Sequence, residues 1–111
     1  MNLVDWKKYA REMYGYEMLT TFGNDFDVAD TLGADAVRDT FRRVFAEWRT
    51  EYKYLTELVM VLNWKSRQHY QTETGSVALS QLYADLWEQA DAWACDNLQG
   101  AELEYFYRVT D

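Results

Sequence analysis

Residues 36–70 read AVRDTFRRVFAEWRTEYKYLTELVMVLNWKSRQHY, and this stretch decides the fold class. Val37, Phe41, Val44, Phe45, Trp48, Tyr52, Leu55, Leu58, Val59 and Leu62 recur at steps of three and four. That is the period of a helix with one buried face, whereas a half-buried strand would alternate with period two. The phase is nearly unbroken, so the pattern alone permits one helix or two. A single helix would run ~50 Å at 1.5 Å per residue, a long rod for a chain of 111 residues. We therefore place a break or kink at residues 50–54, Thr-Glu-Tyr-Lys-Tyr, where helix propensity is weakest. Upstream, Asp35 follows Gly33-Ala34 and is the N-cap candidate.

Outward from this stretch the same period continues. Leu79, Leu82, Tyr83, Leu86, Trp87, Ala90, Trp93, Ala94 and Leu98 form one face of a helix over about 77–98. Ser76 is placed to cap it, and Gly100 stands where a helix ends in a left-handed residue. A short helix over about 101–107 packs back through Leu103, Phe106 and Tyr107. On the N-terminal side, Leu3, Trp6, Tyr9, Ala10 and Met13 read as a first helix ending near Gly15. Residues 20–30 read as a loop or a short helix. A strand there is disfavoured, because no second strand is present to pair with it. With no proline in the chain, nothing removes a backbone donor from any of these segments. The expected architecture is all-α: a compact bundle of four to five helices in a single domain over residues 1–111. Trp48, Leu58, Leu62, Leu82, Leu86 and Trp93 lie at the centres of the apolar stripes and are its expected core.

Composition narrows the function classes. Hydrophobic residues are 49% of the chain and aromatics 17%, too many for a disordered tail. No run of ~18 apolar residues is present, so no membrane span is expected, and the N-terminus shows no signal-peptide pattern. A single cysteine, Cys95, excludes an internal disulfide framework and a cysteine-based zinc site. The net charge of −8 argues against direct binding to nucleic acid. That charge is unevenly placed. Residues 21–40 carry five aspartates against Arg38, residues 41–72 are mildly basic, and residues 73–111 carry eight acidic groups against Arg108.

Catalytic and metal chemistry find weak footing. Asp25-x-Asp27 could hold a divalent cation or act as nucleophile and acid, but that chemistry needs an apolar strand just upstream, and an EF-hand loop would need glycine at Asp30 and glutamate at Ala36. Capping and turn roles fit these aspartates better. His69, the single histidine, has Ser66 and not a glutamate three residues before it, so a bundle metal motif fails. Its place near a helix end suggests contact with the last carbonyls. Cys95, beside Ala94, reads as a buried small hydrophobe. No catalytic residue, metal ligand or cofactor site is assigned.

Two features remain. Fourteen residues are Trp or Tyr, types enriched at protein interfaces. Tyr14, Tyr16, Tyr54, Trp64, Tyr70 and Tyr105 do not all fit one inward stripe, and we read Tyr54, Trp64 and Tyr70 as a contact patch. Asp85, Glu88, Asp91 and Asp96 lie away from the apolar stripe of the 77–98 helix, and Glu102 and Glu104 extend the charge. These are either a solvated face that keeps the protein in solution or an array of carboxylates, spaced like backbone phosphates, that competes for a basic groove on another protein.

Residues 52–65, YKYLTELVMVLNWK, and 97–108, NLQGAELEYFYR, resemble a family of small acidic helical proteins carried by conjugative and phage-like elements of gut bacteria. The resemblance implies a cytoplasmic bacterial accessory protein and transfers no catalytic residue. It favours a non-enzymatic inhibitor of a basic, nucleic-acid-handling host protein of the restriction or CRISPR type. The alternative is a small regulatory or assembly module, with a homodimer as one form, that uses the aromatic-rich 41–72 segment as its interface.

Overall fold

The computed structural model describes residues 22–110, and 87% of them are helical. Five helices follow one another: α1 (Gly23–Leu32), α2 (Ala34–Trp48), α3 (Tyr52–Gln71), α4 (Val77–Asn97) and α5 (Gly100–Thr110). No strand occurs among the described residues, and the all-α bundle read from the periodicity is the observed architecture. The radius of gyration, 13.2 Å, is that of a folded domain of this length. The helix read over residues 3–14 lies outside the described residues.

α3 is the central element. It packs along most of its length on α4 and near its start on α5, while α1 packs on α2. Leu55, Leu58, Val59, Met60, Val61 and Leu62 of α3 are all buried. A helix buried around so much of its circumference is enclosed by its neighbours, whereas the others bury a single stripe. Leu82, Leu86, Ala90 and Ala94 of α4, and Phe106 and Val109 of α5, close the core from one side. Phe26 and Ala29 of α1 and Val37, Phe41 and Val44 of α2 belong to the same cluster.

Residues 36–70 form two helices, and the break spans residues 49–51. Glu51 is extended, its amide bonds the Trp48 carbonyl at 3.0 Å, and α3 restarts as Leu55 bonds Glu51. No glycine marks this corner. Aromatic packing holds it: Trp48 and Tyr54 face each other across the break at 4.6 Å, and both rings contact buried Phe22. The corner has room for only part of each large ring. Trp48, expected in the core, is half-buried for this reason. Trp93 is also half-buried, with one edge against Phe45 and the Arg49 guanidinium over its face. Leu58, Leu62, Leu82 and Leu86 are buried as expected.

Residues 20–30 resolve as helix from Gly23 onward. Asp35 is not the cap of the next helix. Gly33 is, with φ of 113°, a left-handed conformation that side chains resist. Its amide ends α1 on Ala29, and its carbonyl begins α2 on Val37, so one residue turns the chain between two helices. Asp35 falls inside the first turn of α2 and pairs with Arg38. Ser76 does cap α4, its hydroxyl accepting the Leu79 amide at 3.1 Å. Gly100 has a positive φ of 60° but does not end α4, which is closed by extended Leu98; it opens α5 instead, and that helix reaches Thr110, three residues beyond the expected end.

Candidate functional site

The five aspartates of α1 and α2 are all engaged. Asp25 pairs with Arg43 at 3.4 Å, Asp35 with Arg38 at 3.1 Å and Asp39 with Arg42 at 3.0 Å. Asp27 pairs with the buried ammonium of Lys65. Asp30 accepts from His69 Nε2 at 2.7 Å and from the Tyr83 hydroxyl at 2.9 Å. Asp25 and Asp27 thus reach different cations on different helices and do not converge on one point. Among the described residues no group of three His, Cys, Asp or Glu side chains could hold a metal ion.

His69 does not turn to the last carbonyls of α3. Its Nδ1 accepts the Ser76 amide at 3.0 Å, and its ring stacks on Tyr83 with 5.8 Å between centroids. An accepting Nδ1 carries no hydrogen, so in the neutral ring the hydrogen is on Nε2 and points to Asp30. The chain of bonds runs from the Ser76 amide through the imidazole to Asp30, with Tyr83 donating from the other side. Burial and the adjacent Asp30 carboxylate push the Tyr83 phenol far above its ordinary range. Both ring nitrogens are hydrogen-bonded inside the fold. This cluster ties α1, α3 and α4 together. Sequence reasoning found His69 but missed Asp30 and Tyr83. The one signal available was a tyrosine in the middle of an apolar stripe, whose hydroxyl needs a partner when buried.

The aromatic patch does not form. Trp64 is buried in the core at 9% exposure, Tyr54 belongs to the α2–α3 corner, and Tyr70 is 78% exposed. At 100° per residue these three positions fall on three sides of α3. Tyr105, half-buried, meets the Tyr52 ring edge-on at 5.3 Å, and its phenol is raised chiefly by burial. Tyr14 and Tyr16 lie outside the described residues. Cys95 is also not where expected: it is exposed, with the Tyr107 hydroxyl 3.6 Å from its sulfur. One residue on from buried Ala94, it has rotated about 100° away from the core.

The acidic face is present. Asp85, Glu88, Asp96, Glu102 and Glu104 are exposed, and among the described residues none of them makes an ion pair. Asp91 is half-buried and stands apart from this set. The contact between Cys95 and Tyr107 joins the outer side of α4 to that of α5. Glu88 lies two turns before Cys95 on the same side, and Glu104 lies one turn before Tyr107, so these two carboxylates flank that contact, while Glu102, two residues from Glu104, lies about 200° round α5. Arg108, the single basic residue of 73–111, lies over the Tyr105 ring, 5.6 Å from its centroid.

Comparison with protein-family models, with curated proteins and with solved structures finds no match. No helix among the described residues is long and apolar enough to cross a membrane.

Proposed function

We propose that this protein acts by binding a basic protein partner through the surface formed by Asp85, Glu88, Asp96, Glu102 and Glu104. The observation that carries the reading is the contrast in pairing: among the described residues these carboxylates make no ion pair, while the aspartates of α1 and α2 are matched one by one. An unmatched surface of one sign attracts a partner of the other sign and speeds encounter. A groove built to hold nucleic-acid backbone is the natural complement, since it is lined with lysine and arginine that neutralise phosphates. In its most specific form the protein is an accessory factor that occupies such a groove, on a restriction or CRISPR protein, and blocks it. The chemistry is association, with no catalytic step.

The test is retention of bacterial lysate proteins on the immobilised chain at low and at high salt. Wild type is compared with a variant in which Asp85, Glu88 and Asp96 are each replaced by lysine. A basic nuclease or DNA-binding protein held by wild type at low salt, released at high salt and lost from the variant supports the reading. With that partner purified, its association rate should fall steeply as the Debye length shrinks from ~30 Å at 0.01 M to ~8 Å at 0.15 M. A partner held equally by the variant, at a rate insensitive to salt, would overturn it.

A further inference from the structure

We propose that His69 is a pH-sensitive latch: protonation of its ring releases the 72–76 turn and the first turn of α4 from the end of α3. The imidazole is hydrogen-bonded at both nitrogens. Ser76 approaches Nδ1 with a backbone N–H, a group that can only donate. Asp30 approaches Nε2 with a carboxylate oxygen, which accepts. The closed arrangement therefore needs a neutral ring with its hydrogen on Nε2. A second proton has only Nδ1 to occupy, and that atom already receives the Ser76 hydrogen. Protonation thus replaces a hydrogen bond with two N–H groups facing each other. The imidazolium remains held by Asp30, so the ring stays and the turn moves.

The surroundings confine the motion. Asp30 on α1 and Tyr83 on α4 contact the ring, Asp27 pairs with Lys65 one turn back on α3, and Glu73, exposed, lies in the turn itself. Asp27 is matched by Lys65, and Tyr83 stays a neutral donor across the range in which histidine titrates, about pH 5–8. Gly75 packs so closely on the His69 backbone carbonyl that a Cβ there would overlap it, which shows how tightly the turn is seated. One turn further along α4, Ser66 and Ser80 exchange hydroxyl-to-carbonyl bonds at 2.8 Å in both directions. That double bond involves no titrating group and stops the opening before Ser80. The segment that would be released includes Val77, 77% exposed in the closed state.

Because the chain has one histidine, the ring can be followed without ambiguity by nitrogen-15 NMR. At pH 8 the ring should be the Nε2–H tautomer. As pH falls through the titration of the ring, hydrogen-exchange protection of the Ser76 amide, corrected for intrinsic rate, should drop about tenfold, the equivalent of one hydrogen bond. Protection at Leu58 and Leu62 should not change. In His69→Asn the side-chain oxygen takes the place of Nδ1 as an acceptor that cannot titrate, so Ser76 should stay protected at acid pH. An Nδ1–H tautomer at pH 8, or Ser76 protection constant through the titration, would overturn the latch, as would a pH response that persists in His69→Asn. The first two measurements use the unmodified chain and decide the matter even if the variant does not fold.

Discussion

The two acidic halves of this chain obey different rules. In α1 and α2, five aspartates meet five bases, three as exposed arginine pairs and two as partly buried bonds to Lys65 and His69. In α4 and α5, Asp85, Glu88, Asp96, Glu102 and Glu104 form no ion pair among the described residues. The difference shows that a carboxylate's sequence context does not set its role. α1 lies against the mildly basic α2–α3 segment, so its charges are spent on holding helices together. Among the described residues no basic helix lies against these carboxylates of α4 and α5.

The largest effects should separate the faces of α4. Leu86→Ala should cost about 2–5 kcal/mol in urea unfolding, because Leu86 is buried and its loss leaves a cavity. Asp85→Ala, one residue away and exposed, should change stability by under about 0.5 kcal/mol. Similar costs for the two would break the division between an inward stripe and an outward charge.

Asp30→Ala should cost about 2–4 kcal/mol, because it deprives both the Tyr83 hydroxyl and His69 Nε2 of their acceptor. Glu88→Ala should be close to neutral in the same assay. A neutral Asp30→Ala would mean that the two acidic halves do not differ energetically.

Alkaline pH gives a smaller effect with a defined sign. The fold raises the Tyr83 phenol above its ordinary value near 10. The native state therefore holds this proton where the unfolded chain releases it. The contribution is complete below about pH 10 and is lost as pH climbs above it. Tyr83→Phe should cost about 1–2 kcal/mol at neutral pH and flatten the alkaline loss. In an absorbance titration of the native protein, Tyr83 should ionise only as the fold opens. Ionisation of Tyr83 in the intact fold would contradict this.

The smallest effect belongs to the exposed pairs. Asp39→Ala should change stability by less than about 0.5 kcal/mol, since solvent screens its bond to Arg42 on a surface turn. A loss as large as that of Asp30→Ala would place the exposed and buried pairs in one class.

Much of the fold was legible because helix periodicity is written locally. The break in residues 36–70, the Ser76 cap and the stripe of α4 each depend on residues within a few turns of one another. Two of the misreadings turn on contacts between residues far apart in sequence, and one on local helix geometry. Trp64 looked like surface because its stripe was judged on one side of α3, yet α3 is enclosed on several. Cys95 looked like core because it follows Ala94, yet one step along a helix turns a side chain by about 100°. His69 was assigned to its own helix end, while its partners lie 39 residues before it and seven after.

By itself the sequence determined the helical class, the main boundaries, most of the aliphatic core and the acidic surplus of the C-terminal third. These follow from spacing along one helix and from simple charge counts. Only the tertiary structure decided which acids are matched, which aromatics are buried, and that one histidine bridges three helices. The reason is physical: hydrogen bonds and ion pairs act over a few ångströms in space, and chain separation says little about which groups come that close. Asp30 and Tyr83 are 53 residues apart in the chain and 2.9 Å apart in the fold.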